Sequence, residues 1–260
     1  MKDPENYRVV VPSYRRAAAL PIKTLAMLDR HGIDPARISI VVADEQERAV
    51  YDRIMPAEKY GELLVAVPGM GAVRNWIQEH FAEGELLWCI DDDIKELYER
   101  VDDKTKRPVA DLHGFVTNAF HVLQETGLGL WGIYPVLNPF FMDEGYTTDL
   151  RYIIGCCWGC TNRHGPDFAV TLDDKEDFER TIKYYLADGG VVRFSGVAPA
   201  TNYYDEPGGM QVERTEDRVT ASAKVLVERY PDLCTLNTGK KSGHAEVRLK
   251  DRRPRGPTFF

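Results

Sequence analysis

The sequence has no G-x-G-x-x-G after its first apolar run and no G-x-x-x-x-G-K-[ST] anywhere. These absences argue against the dinucleotide-binding glycine loop and exclude the P-loop of nucleotide hydrolases, both of which need backbone amides brought close to phosphate. Cysteine is sparse: Cys89, Cys156, Cys157, Cys160 and Cys234. Five at irregular spacing do not make a disulfide framework. "CWGC" at 157–160 has redox or zinc half-site spacing but no second CxxC, so buried structural thiols are the expectation. No apolar run reaches the length of a membrane span, and the polar opening "MKDPENYR" lacks a secretory leader pattern. A cytoplasmic protein with no membrane partner is expected. Positive charge is also in deficit: 33 Lys and Arg face 41 Asp and Glu, a net charge of −8. Such a chain binds polyanions only through a local basic patch.

The 260 residues, 43% of them hydrophobic, suffice for one large core. Four apolar runs, "YRVVVP", "ISIVVADE", "ELLVAVPG" and "ELLWCIDDD", alternate with stretches of helical spacing in the first hundred residues. Continuous apolar strands separated by helices predict an α/β fold with a mostly parallel central sheet and helices on both faces. Polar residues follow three of these strands: Ser13 to Arg16, Asp44 and Glu45, and Asp91 to Asp93. Open α/β sheets bind ligands at that carboxyl edge. Further along, an excursion or hairpin is expected near 95–111, helices over 112–127 and 172–190, a strand at "YIIGCCWGC", another at "VVRFSGVAPATNYY", and a helix at "TEDRVTASAKVLVERYPDLC".

Three adjacent carboxylates repel one another, and the apolar "LLWCI" before them places them over the sheet rather than at a solvated rim. Strand alternation would put Asp91 and Asp93 on one side and Asp92 on the other. Two such carboxylates can hold Mg²⁺ or Mn²⁺ beside a diphosphate. Asp92 would then be buried near a backbone or arginine donor.

"VVVPSYRR", an acid after the second strand and "IDDD" after the fourth resemble a glycosyltransferase of the GT-A type. More narrowly, "VPSYRR", "VPGMGAVRNW", "WCIDDDI" and "GKKSGHAE" resemble the TET-associated glycosyltransferases of bacteriophages, which attach sugars to 5-hydroxymethylpyrimidines in DNA. The resemblance implies a GT-A-like single domain over 1–239, with a donor half to residue 100 and an acceptor half beyond it. The basic segment 240–260 would contribute to the donor site. It also implies a nucleotide-sugar donor, a UDP-sugar first, and a DNA acceptor carrying 5-hydroxymethylcytosine. Pro12, Ser13 and Tyr14 would line the nucleoside pocket, with Arg15 near the diphosphate. Asp44 would accept from uracil or ribose. Gly69, Gly71, Arg74 and Asn75 would approach the nucleotide. Asp91 would face sugar or ribose, and Asp93 would hold the metal. Three acids instead of the usual two leave either Asp92 or Asp93 as direct ligand.

A sugar transferred with inversion needs a carboxylate to take the acceptor proton. "LDDKEDFERT" offers one. Asp173 and Asp174 have helix-capping spacing, while Glu176–Asp177 resembles the E-D pair that supplies the base in GT-A enzymes. Asp177 is the first candidate and Asp174 the second. His244, in a polar Gly-bounded setting, matches the late histidine that many of these enzymes place on the metal. Lys240 and Lys241 beside it would neutralise the diphosphate. The basic tail can grip phosphate or remain a solvated tail. The segment 134–148 is the preferred acceptor loop, and Trp131, Tyr134, Phe140, Phe141, Trp158, Tyr203 and Tyr204 are stacking candidates unless they belong to the core. The rival readings are a nucleotidyltransferase acting on sugar phosphates and a non-catalytic nucleotide- or DNA-binding module. "PSYRR" is unlike the glycine-rich loop the first requires.

Overall fold

The structure, a computed structural model, describes residues 2–201, 215–237 and 246–250. Eight strands form the main sheet, in spatial order β3-β2-β1-β4-β9-β7-β10-β8. In chain order they are β1 (Arg8–Pro12), β2 (Ile38–Val42), β3 (Glu62–Val65), β4 (Leu86–Ile90), β7 (Leu130–Ile133), β8 (Tyr146–Thr147), β9 (Cys157–Thr161) and β10 (Val192–Phe194). Strands β3, β2, β1 and β4 run parallel, as do β7 and β10. Only β9 and the short edge strand β8 are antiparallel to their neighbours. The expected architecture, α/β with a mostly parallel sheet, is the one observed.

Helices lie on both faces because alternate strand residues feed two separate cores. Val9, Val11, Ile40, Trp88 and Ile90 pack with α1 (Thr24–Arg30), α2 (Glu45–Ile54) and α4 (Leu112–Thr126). Val10, Val41, Leu87 and Cys89 pack with α3 (Met70–His80) and α5 (Glu176–Asp188). The same alternation decides the CxxC question. Cys157 belongs to the first core and Cys160 to the second, so their thiols leave β9 on opposite faces. All five cysteines are buried and free. No helix among the described residues is long and apolar enough to cross a membrane.

The excursion after β4 is a hairpin of β5 (Glu96–Arg100) and β6 (Lys106–Pro108), joined by β11 (Val197–Ala200) into a three-stranded sheet. The stretch read as one strand from 191 is thus two strands, β10 and β11, in different sheets, because Ser195 and Gly196 turn the chain between them. Helix α6 (Glu216–Arg229) packs with a ribbon of β12 (Cys234–Asn237) and β13 (Glu246–Leu249) against Ile182 and Phe178 of α5. Part of the basic C-terminal tract is therefore a paired strand. Lys240, Lys241, His244, Tyr203 and Tyr204 lie outside the described residues.

Candidate active site at the carboxyl edge of the sheet

Strand β4 ends at Ile90, so the three aspartates are not a strand. Asp91 N–H makes a last ladder-like bond to the Cys156 carbonyl at 2.9 Å. The chain then turns, and Thr24 of α1 closes the turn. Its hydroxyl donates to the Asp91 carbonyl at 2.7 Å and accepts from Ile94 N–H at 3.0 Å. This corrects the expectation from alternation that Asp91 and Asp93 share a side.

Asp92 and Asp93 are the pair that share a partner. Arg16 Nη1 donates to Asp92 Oδ1 at 2.7 Å and to Asp93 Oδ2 at 3.1 Å. Asp92 is buried, as expected of it, and its Oδ2 accepts from Ser13 Oγ at 2.5 Å. Burial raises its pKa, opposed by Arg16 and the Ser13 bond. Asp91 turns instead toward α3, where Arg74 Nη2 donates to its Oδ1 at 3.1 Å. Asp91 and Asp93 each keep one carboxylate oxygen with no hydrogen bond among the described residues. Mg²⁺-type ions commonly take one or two protein carboxylates and complete their shell with substrate phosphates and water. Each free oxygen leaves its carboxylate able to serve singly as such a donor. No group of three or more His, Cys, Asp or Glu among the described residues is arranged to hold a metal unaided.

The residues expected around the donor divide into those at the surface of this edge and those beneath it. Pro12 and Tyr14 are half-buried, and Arg15 is exposed, its guanidinium 4.7 Å over the Tyr14 ring. Ser13 is buried, hydrogen-bonded to Tyr51 and Asp92. It braces an acid rather than lining an open pocket. Asp44 is exposed and caps α2 by accepting from Glu47 N–H at 2.8 Å. Gly69, the N-cap of α3, sits at φ 101°, which a side chain would strain. Gly71 N–H donates to Asp173 Oδ1 at 3.0 Å, and a Cβ there would lie 2.8 Å from the Leu172 carbonyl oxygen. The glycine thus allows close approach of the 172–173 backbone. Asn75 clamps the same segment: its amide donates to the Val170 carbonyl and accepts from Val170 N–H, each at 2.8 Å. Both functions of that side chain are engaged by protein.

Helix α5 begins at Glu176, not at 172. Lys175, at φ 68°, breaks the helical path, and Asp173 is spent on Gly71 instead of a cap. Asp174 is buried and accepts from Arg218 Nε at 3.0 Å. Glu179 fixes the entry to the helix, accepting from Thr171 N–H at 2.7 Å, Leu172 N–H at 3.1 Å and Arg229 Nη1 at 2.7 Å. On the opposite side of the helix start, half-buried Asp177 accepts from the Tyr152 hydroxyl, and from its neighbour Phe178 N–H at 2.9 Å. The Tyr152 ring stacks on Phe178 at 4.1 Å between centroids.

Glu176 joins the two groups of acids. Arg74 Nε lies 3.7 Å from its Oε1 and Arg180 Nη1 3.8 Å from the same atom. Arg180 in turn stacks on Trp158 at 3.8 Å. The chain Asp91–Arg74–Glu176–Arg180, buried beyond its half-buried first member, therefore spans from the triple aspartate to the helix that carries Asp177. Burial, then the neighbouring charge of Asp177, pushes Glu176 up to about 7, against the pull of Arg180 and Arg74. Tyr152, Glu179 and Arg180 were not singled out from sequence, and Arg16 entered only as the last of the polar run after β1. For Arg16 a signal exists, a second arginine beside Arg15; for the others the partners are distant in sequence.

The Glu176 shift has a pH consequence. Between the ordinary carboxylate range and about pH 7, the folded protein keeps a proton that the unfolded chain has released. Stability falls as pH rises through that window, by roughly 1.4 kcal/mol per unit of pKa difference. Glu176→Gln should lack this fall and gain on the wild type as pH rises toward 8. Urea unfolding at a series of pH values measures it; equal pH dependence in both proteins would mean that Glu176 is ionised throughout.

No family model and no curated protein sequence matches this chain. Among solved structures, it is similar to the mannosyltransferase PcManGT from Pyrobaculum calidifontis in complex with GDP-Man and Mn²⁺. The TM-score is 0.52 at 15% identity, over 89% of this chain and 65% of that one. A mycobacterial protein gives a TM-score of 0.50 at 10% identity, over 95% of this chain and 84% of that one. This chain thus spans slightly under two thirds of the mannosyltransferase. At these identities the likeness is one of fold, and that fold is GT-A-like.

Proposed function

We propose that this chain is a metal-dependent glycosyltransferase that moves a sugar from a nucleotide-sugar, a UDP-sugar first, to the hydroxyl of 5-hydroxymethylcytosine in DNA. The observation that carries the transferase reading is the link through Arg74. One buried arginine touches Asp91 at 3.1 Å and lies 3.7 Å from Glu176, the neighbour of Asp177. The acids suited to a donor diphosphate and the carboxylate suited to an acceptor hydroxyl are thereby held at one sheet edge. The DNA acceptor rests on the sequence resemblance.

In this reading the acceptor hydroxyl oxygen attacks the anomeric carbon, the bond from that carbon to the diphosphate oxygen breaks, and Asp177 takes the hydroxyl proton. Asp177 suits the role by exposure and orientation: it is half-buried and steadied by Tyr152. Asp93 and Asp91 would hold Mn²⁺ or Mg²⁺, with His244 as a third ligand. The ion would neutralise charge on the leaving diphosphate. Tyr14 and Arg15 would contact the nucleoside and diphosphate from the β1 side, with Lys240 and Lys241 closing over it. The 134–148 segment would meet the acceptor. It presents Val136, Phe140 and Phe141 to solvent, 54%, 69% and 58% exposed. Trp131, by contrast, is fully buried and Trp158 lies under Arg180, so both are core.

The test incubates the protein and Mn²⁺ with hydroxymethylated DNA and a panel of nucleotide-sugars, digests to nucleosides and weighs them. A nucleoside heavier by one sugar is the expected product. No gain in mass with any donor would overturn the acceptor. A nucleotide-sugar formed from nucleoside triphosphate and sugar phosphate would favour the nucleotidyltransferase.

A further inference from the structure

Arg193 is a half-buried cation with no carboxylate partner among the described residues. It stands in β10 opposite Gly132 of β7 and Thr147 of β8. Its side chain therefore leaves the sheet on their face. That is the face of α3 and α5, because a Cβ on Gly132 would run into Ile153 of the second core. The guanidinium lies 5.2 Å over the ring of Tyr134. Among the described residues its buried Nε meets no acceptor, and the buried Oγ1 of neighbouring Thr147 meets no hydrogen-bond partner. Arg151 brings a second positive charge to the same corner, with Asp149 Oδ2 2.8 Å from its Nε. Burial and then Arg151 push Arg193 down to about 10, against weaker support from Tyr134, Asp149 and Asp143.

The corner is tied to the base by the chain itself. Arg151 precedes Tyr152, whose hydroxyl donates to Asp177. Gly155 offers its carbonyl to Arg74 at 3.1 Å, and Cys156 offers its own to Asp91 N–H at 2.9 Å. Segment 151–156 thus runs from the arginine pair, past the base, to the donor acids. An acceptor whose hydroxyl reaches Asp177 from the side away from those acids meets the arginines next.

We propose that Arg193 and Arg151, with Tyr134, form a subsite for a phosphate group of the acceptor. On the reading above it is the phosphodiester beside the hydroxymethylated nucleotide. Asp149 offsets one of the two positive charges, and the remaining one matches a phosphodiester. Planar guanidinium groups suit phosphate oxygens, and an anion there would relieve the arginine–arginine repulsion.

Two measurements on the full chain test this. Inorganic phosphate is titrated against the protein, following arginine Nε–H signals by NMR. The Arg193 signal should shift in the wild type, and in Arg193→Gln no other arginine signal should respond with comparable affinity. Hydroxymethylcytosine dinucleotides are then compared as acceptors, one with its native phosphodiester and one with a neutral methylphosphonate. The neutral linkage should raise KM about tenfold or more, the size of a lost charge-assisted bond, with kcat little changed. In Arg193→Gln the two dinucleotides should become nearly equivalent, as two changes to one contact do. An Arg193 signal indifferent to phosphate, or equal KM for both dinucleotides in the wild type, overturns the subsite. Phosphate binding that depends on Arg193 without transfer to either dinucleotide keeps the subsite and removes the DNA reading.

Discussion

Asp177→Asn is expected to lower turnover by roughly 10²–10⁴-fold, the usual worth of a general base, with donor affinity nearly unchanged. The substitution keeps the structure around it. Phe178 N–H can still donate to the Asn oxygen, and the Tyr152 hydroxyl can accept from the new amide where it now donates to the carboxylate. What is lost is the capacity to take a proton. Asp177 is not a cap whose loss would unfold the helix, since the N-cap position belongs to Lys175. Single-turnover sugar transfer under saturating donor is the measurement. Near wild-type turnover would eliminate Asp177 and leave Asp174, which is already engaged by Arg218. If Asp174→Asn were active as well, a retaining mechanism would replace the inverting one.

Arg74→Met should cost about 3–5 kcal/mol of unfolding free energy, the penalty for leaving a buried ion pair without one partner. Methionine fits a helix interior and fills most of the volume, so the loss reports on charge more than on packing. In the native protein, burial disfavours the Arg74 charge, but Asp91 and Glu176 outweigh it and raise its pKa. Without the guanidinium, Asp91 and Glu176 lose that counter-charge and the Gly155 carbonyl loses its donor. Arg74→Lys should recover only part, because one ammonium cannot span all three. Urea unfolding at neutral pH reads the difference. A loss below about 1 kcal/mol, the scale of an exposed pair, would show that solvent already screens these groups.

The first half of the fold was legible because parallel strands buried on both faces have a strong signature: "VVVP", "ISIVV" and "LLWCI" admit little else. The carboxyl-edge argument followed from that and pointed to the acids. Reading Asp91 to Asp93 as strand failed because sequence alone does not reveal Thr24, sixty-odd positions earlier in the chain, closing the turn at Asp91 and Ile94. The start of α5 was misplaced for a similar reason. Asp173 has the composition of a cap, but a glycine amide about a hundred residues upstream claims it. Tyr152 and Arg180 were invisible because their meaning lies in partners that only the fold supplies. Arg193 gave no signal at all: one basic residue in a short strand reads as a solvated side chain until its surroundings are known.

The reversed strand β9 has a consequence for the birth of the chain. It alone bridges β4 to β7, through register pairs from Leu86↔Thr161 to Ile90↔Cys157 on one side and from Leu130↔Cys160 to Gly132↔Trp158 on the other. As the polypeptide leaves the ribosome, β1 to β4 can assemble early, yet β4 then presents an apolar, hydrogen-bond-hungry edge until Thr161 has been made. Such an edge invites pairing with other nascent chains. The β1–β4 half of the sheet is therefore not an excisable module: cut before β9, it would carry an apolar strand edge uncovered.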